Sequence, residues 1–225
     1  MSTQNTMPSC FSPDELESRM LDPGLPDGRL LRWYDKLGYG FFPADPSGMY
    51  GQAYHDQYVS WADTDMGHQL TALRVAMVNR HIGNKPLVDV GAGSGQFVRA
   101  RPNTMAYEVN PAAVKALRAE NLHVGVPFAE SFPHASFWDS LEHMPDMVPM
   151  LRQRTWIFLS MPIYTGPEEV LASKHFKPRE HYWYFTEGGL VGYLGRLSFE
   201  LAESNQQETL AGRESIGSFA FKRHA

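Results

Sequence analysis

From Thr64 to Ile82 apolar residues return at helical spacing. Leu70, Leu73, Met77 and then Val78 or His81 share one face, and Gly83 stands just past the end, which predicts an amphipathic helix. Lys85–Val90 follows, and its last four residues form a β-branched apolar run suited to a strand buried on both faces. Gly91, Gly93 and Gly95 then occupy every second position ahead of a brief helix that Arg101-Pro102 stops. Thr104–Glu108 reads as a second strand, and Asn110-Pro111 opens the next helix as cap and first-turn residue. A third strand is expected at Leu122–Val126. Only Pro127–Pro133 separates it from a fourth at His134–Asp139, so that connection lacks a full crossover helix. Leu141–Leu151 is a helix broken by Pro145 and Pro149, and Thr155–Ser160 is a strongly apolar fifth strand. Leu197–Ala202 and Ile216–Phe221 close the chain with no helix between them. This order predicts an α/β, doubly wound, mostly parallel sheet ending in an antiparallel hairpin.

The first sixty residues follow a different pattern. Met1–Cys10 is polar and is expected to be loose. Ser12-Pro13-Asp14-Glu15 carries a helix-start signature, and that helix must end before Asp22-Pro23-Gly24. Arg29–Phe42 reads as a hairpin turning near Gly38, with Leu30, Leu31, Trp33 and Tyr34 before the turn and Tyr39, Phe41 and Phe42 after it. Tyr50, Tyr54, Tyr58 and Trp61 lie on one helical face, either as core or lid packed on the main domain or as an aromatic wall over a ligand. The expected division is an N-terminal extension over 1–63 and a main domain over 64–225.

Composition narrows the setting. The chain has 225 residues, enough for one sizeable α/β domain with a short extension. Its net charge of -5 argues against a generic nucleic-acid surface, although a local basic patch survives such an average. Cys10 is the single cysteine, so neither an internal disulfide nor a thiolate zinc cluster can form. No apolar run is long enough to span a bilayer and the N-terminus is polar, which makes a cytoplasmic setting the default expectation.

The glycine turn carries the chemistry. A strand that passes through glycines into a helix presents bare backbone N–H groups and a positive helix end to a ligand. Asp89 stands just before the turn, and Glu108 ends the next strand, where nucleotide-binding α/β folds place the acid that grips ribose hydroxyls. These features predict an adenosine-containing cofactor. The dinucleotide fingerprint fails because its last glycine would fall on Gln96, and a P-loop fails because no lysine follows Gly95.

Asp89-Val90-Gly91-Ala92-Gly93-Ser94-Gly95 resembles the first motif of the class I S-adenosylmethionine (SAM)-dependent methyltransferases. Phe137-Trp138-Asp139-Ser140-Leu141-Glu142-His143-Met144-Pro145 is similar to the segment after the fourth strand in their small-molecule branch, often ending in Leu-Glu-His. His181-Tyr182-Trp183-Tyr184-Phe185-Thr186 resembles the segment before their last helix. The likeness spans residues 50–223 and implies a seven-stranded or reduced Rossmann-like sheet with SAM as cofactor. It assigns cofactor contacts to Asp89, Gly91, Ala92, Gly93, Gly95, Glu108, Val109, Trp138 and Asp139, with Trp138 packing beside the cofactor. Two departures stand out. The hairpin region holds no cysteine where many relatives carry a zinc ribbon. Ala129-Glu130 is the nearest candidate where relatives offer an aspartate to the adenine amino group.

Methyl transfer is an in-line displacement, so a base matters only when the acceptor must lose a proton. The expected catalytic residues are His143 as general base, Glu142 and Tyr164, the base role being weighed against a loop-pinning one. His175, Arg179, His181 and Tyr184 are the candidates for acceptor binding. The basic run Lys174–His181 is otherwise a solvated loop. His55, His68, His81, His123 and His224 form no ligand-like pair, and no metal is expected. The leading expectation is methylation of an oxygen or nitrogen on a small molecule. A nucleic-acid or modified-nucleobase acceptor is the second reading. Cys10 lies far from the place a cytosine-C5 nucleophile needs, and Met161-Pro162-Ile163-Tyr164 falls one strand too late for an exocyclic-amine enzyme. A non-catalytic partner subunit is the third.

Overall fold

A computed structural model describes residues 14–126 and 132–224. Ser12-Pro13, Cys10 and Ala129-Glu130 lie outside them.

The N-terminal strands are β1 (Arg19–Leu21), β2 (Leu31–Tyr34) and β3 (Tyr39–Phe41). The hairpin of β2 and β3 forms as expected, with Tyr34 opposite Tyr39. The short helix expected before Asp22 does not form among the described residues. Asp14–Leu16 makes a turn, and β1 pairs antiparallel with β2, Leu21 opposite Leu31. The reason is tertiary: Arg19 Nε and Nη2 each donate to the Asp35 carboxylate at 2.7 Å, which fastens the segment to the hairpin edge.

Next come α1 (Gln52–Ala62) and α2 (Asp65–Ile82). Thr64 caps α2 by accepting from Gly67 N–H at 3.0 Å. The alternating part follows as β4 (Leu87–Val90), α3 (Gln96–Ala100), β5 (Thr104–Tyr107), α4 (Pro111–Ala119) and β6 (His134–Trp138). A 3-10 turn at Leu141–His143 leads through α5 (Val148–Leu151) into β7 (Trp156–Pro162). The chain ends with α6 (Pro167–Ala172), β8 (Trp183–Phe185), α7 (Glu187–Arg196), β9 (Phe199–Asn205), α8 (Gln207–Leu210) and β10 (Ile216–Arg223).

The main sheet has six strands in the order β5-β4-β6-β7-β10-β9. β5, β4, β6 and β7 are parallel, and β10 lies antiparallel between β7 and β9. The expected third strand shrinks to one bridge, Ala106 to His123, held by Ala106 N–H to Leu122 O at 2.7 Å and Val124 N–H to Ala106 O at 2.8 Å. The sheet is thus the reduced form of the expected arrangement. The closing strands also differ, because α8 sits between them.

Both faces of the sheet are covered, as continuous apolar strands require. Val88, Val90, Phe137, Leu159 and Phe219 pack toward α7 and the aromatic residues of the smaller sheet. Leu87, Trp138, Phe158 and Ala220 pack against Met77, Val78 and Ile82 of α2 and Phe97 of α3. The smaller sheet has the order β1-β2-β3-β8, so a strand from late in the chain completes the N-terminal hairpin. Thr186 locks that junction, accepting from Gly189 N–H at 2.9 Å as the α7 cap and donating to Gly38 O at 2.9 Å. Thr186→Ala is expected to cost about 1–2 kcal/mol, with Thr186→Ser restoring most of it. The urea midpoint measures the change. Among the described residues no helix is long and apolar enough to cross a membrane.

Candidate functional site

Parallel pairing of β4 with β5 and β6 brings their carboxyl ends to one edge, where open α/β sheets bind ligands. Gly91 has φ +78°, and a Cβ there would lie 2.5 Å from Ser140 Cβ. Only glycine lets the β4 turn pass this close to the segment leaving β6, and Ser140 Oγ donates to Val90 O at 2.5 Å across the same gap. Glu108 reaches the turn from the end of β5. Its Oε2 accepts from Gly93 N–H at 2.8 Å, and its Oε1 from Val109 N–H at 2.6 Å and Asn110 N–H at 2.9 Å. A carboxylate has about four acceptor positions, so one remains for a ligand hydroxyl. Val109 stands exposed beside it.

Asp89 faces inward, 2 % exposed, and its Oδ1 accepts from Ser136 Oγ at 2.6 Å. Burial pushes its carboxyl up to about 7, opposed by the Ser136 hydrogen bond and by Arg74. A folded value above the unfolded one of 3.8 favours the protonated form. The stability this contributes is complete below 3.8 and is lost as pH rises through about 7. Asp89→Asn keeps the acceptor and removes the titration. Urea midpoints at pH 5 and pH 8 are expected to diverge less in the variant, on the order of 1.4 kcal/mol for each pH unit between the two values.

Trp138 and Asp139 leave the end of β6 on the α2 side. Arg74 lies over the Trp138 ring, 5.1 Å from its centroid. Asp139, at φ +54°, accepts from Arg74 Nη2 at 2.9 Å and from Arg213 Nη1 and Nη2 at 2.8 and 2.9 Å. Glu208 closes the cluster, taking Arg74 Nε at 2.7 Å and Arg213 Nη1 at 2.6 Å. Burial alone would raise the Asp139 carboxyl, but Arg213 and Arg74 outweigh it and hold it well below the usual range. Arg74, Glu208 and Arg213 are residues that sequence reasoning missed.

Glu142 and His143 follow on the 3-10 turn. Tyr182 N–H donates to Glu142 O at 2.8 Å and Trp183 Nε1 to Met144 O at 2.9 Å, which docks the His181 segment onto this turn. The rings of His143 and His181 stand 4.7 Å apart, and Glu142 lies beside them, 1 % exposed. Burial, helped by the Asp139 charge, pushes the Glu142 carboxyl well up, opposed by the charges of Lys177 and Arg213. Burial also takes His143 down to about 4 and His181 well below its ordinary value, so both imidazoles are neutral at pH 7. A base this weak draws little driving force for proton abstraction.

Tyr184 packs near His181, their ring centroids 6.0 Å apart. Tyr164 is buried among Leu31, Trp33, Phe42, Val170 and Tyr184. His175 and Arg179 make their side-chain hydrogen bonds to other segments. His175 Nε2 meets Glu214 O at 2.9 Å, and Arg179 Nη2 donates to Ser47 O at 3.1 Å. The aromatic face of α1 spans the edge: Tyr58 Cδ1 lies 3.9 Å from a Cβ placed on Gly93, while Tyr50 Oη lies 3.4 Å from His143 Nδ1.

No known family model matches the chain, and no curated protein does. Solved structures do match. The 1,6-didemethyltoxoflavin N1-methyltransferase of Burkholderia thailandensis, crystallised with 1,6-didemethyltoxoflavin and S-adenosylhomocysteine, aligns with TM-score 0.54 at 20% identity over 77% of this chain and 84% of its own. A SAM-dependent methyltransferase of Thermotoga maritima gives 0.55 at 14% over 76% and 97%. Magnesium protoporphyrin IX methyltransferase of Synechocystis, with S-adenosylhomocysteine bound, gives 0.50 at 16% over 70% and 84%. The fold is therefore the α/β Rossmann-like fold that these methyltransferases share.

Proposed function

We propose that this chain is a class I SAM-dependent methyltransferase that transfers a methyl group to an oxygen or nitrogen of a small-molecule acceptor. The observation that carries this reading is the Gly91–Gly95 turn with the Glu108 carboxylate 2.8 Å from Gly93 N–H, at the strand edge of a methyltransferase fold. Two of the neighbours carry S-adenosylhomocysteine, and their names give small molecules as acceptors.

The residues fit such a cofactor. A side chain on Gly93 would meet Tyr58 only at ordinary contact distance, Glu108 keeps an acceptor position for a ribose hydroxyl, and Val109 offers an exposed apolar surface beside it. When bound, SAM supplies an electrophilic methyl group on a sulfonium. The remaining work is position and exclusion of water. One α1 face does both: Tyr58 covers the glycine turn, and Tyr50 stands at the acceptor side beside His143. Asp139, locked by two arginines, fixes the backbone from which Glu142 and His143 project.

Titration calorimetry with SAM and S-adenosylhomocysteine is expected to show one molecule of either bound per chain. A tritiated-methyl assay against fractionated cell extract then finds the acceptor. Binding of neither nucleotide would overturn the reading.

A further inference from the structure

Glu142, His143 and His181 present one ligand atom each, all within 4.8 Å of one another. Neither carboxylate oxygen of Glu142 has a hydrogen-bond partner among the described residues, although the side chain is buried. A buried carboxyl left without donors is costly, and structures rarely keep one without a reason. Nothing in the packing of the sheet needs a carboxyl here.

We propose that Glu142, His143 and His181 bind a divalent transition-metal ion beside the turn that follows β6, with open positions that take a hydroxyl oxygen of the acceptor. Ligands about 2.1 Å from a tetrahedral ion lie about 3.4 Å apart, so a pair at the 4.8 Å limit closes by about 1.4 Å on binding. Two imidazoles and one carboxylate suit Zn²⁺, Fe²⁺ or Mn²⁺ better than Mg²⁺ or Ca²⁺. The site is also built from outside: Tyr50 and Glu180 flank His143, and Glu180 lies 3.8 Å from Lys177, pairing the cation next to the cluster.

Three protein ligands leave room for an exogenous oxygen, and coordination lowers the pKa of a bound hydroxyl. In the transfer step, which rests on the methyltransferase reading, that hydroxyl gives its proton to solvent. The oxygen's electron pair forms the new carbon–oxygen bond, the methyl–sulfur bond breaks, and its pair stays on sulfur as S-adenosylhomocysteine. The ion removes the need for His143 as a base.

Co²⁺ is the probe. Chelator-treated full-length protein is expected to take up one Co²⁺ per chain with visible d–d bands. Zn²⁺ should displace it, and a tenfold excess of Mg²⁺ should not. His181→Ala and Glu142→Gln are each expected to weaken uptake by about 100-fold, near 2.7 kcal/mol, with thermal midpoint and S-adenosylhomocysteine affinity checking that the fold persists. Azide should shift the bands, since positions remain open. Absence of stoichiometric uptake, or uptake unchanged in both variants, would overturn the site, and bands that ignore azide would overturn its role toward the acceptor. The nucleotide affinity of the metal-free protein is read separately, so loss of the methyltransferase reading and loss of the metal site are distinguishable.

Discussion

Replacing Gly93 with arginine is expected to lower affinity for SAM and S-adenosylhomocysteine by more than about 100-fold, roughly 2.7 kcal/mol, in a protein that still folds. Gly93 has φ +53°, and among the described residues beyond its own chain neighbours a Cβ there meets nothing nearer than Tyr58 Cδ1 at 3.9 Å. A side chain at this position is thus not refused by the protein. It projects between the glycine turn and α1, where the proposed SAM site lies. The left-handed backbone costs a non-glycine residue about 1–2 kcal/mol, which a domain of this size tolerates. Gly91→Ala is the poorer test, because its Cβ would collide with Ser140 at 2.5 Å and damage the turn itself. Gly93→Ala should change affinity by only a few-fold. Calorimetry reads all three, and an unchanged affinity in Gly93→Arg moves the cofactor site elsewhere.

The parts of this molecule that were legible in sequence are those decided locally. The apolar run of β4, the alternating glycines, the proline that stops α3 and the Asn110 cap each act over a few residues, and each appears where expected. What was hidden depends on partners far along the chain. β1 looked helical until Asp35 and the hairpin edge claimed it, and β8 is an aromatic run whose partner β3 lies at the other end of the sequence. The third strand had strand-like residues but only one bridge to hold it. The candidate site divides in the same way. Glu142 and His143 stood out because they are adjacent, whereas their meeting with His181 required the Tyr182–Glu142 backbone bond. Arg74 reads as an ordinary polar position on an amphipathic helix. Nothing near it in sequence announces two carboxylate partners, the half-buried Asp139 and the buried Glu208.

That hidden cluster supports the second large effect. Glu208→Ala is expected to destabilise the protein by about 3–5 kcal/mol, the cost of leaving buried charge uncompensated, and to lower the melting temperature by about 10 °C. Glu208 is 1 % exposed and accepts from both Arg74 and Arg213, and Asp139 accepts from the same two. With Glu208 gone, two half-buried guanidinium groups share one carboxylate and repel each other. The cluster joins α2, the end of β6, α8 and the segment before β10, so strain there reaches the left-handed Asp139 backbone and the 3-10 turn behind it. Salt should recover little, since screening acts weakly on partly buried pairs. A loss under about 1 kcal/mol, the range of exposed ion pairs, would mean that solvent reaches these arginines and that the cluster does not hold the turn. Acid gives an independent check with a defined sign. Asp139 titrates lower in the folded than in the unfolded chain, so its contribution is present above 3.8 and disappears as pH falls toward the folded value. In Arg213→Ala, where Asp139 loses its bidentate partner, acid unfolding is expected to begin at a higher pH than in the unaltered protein.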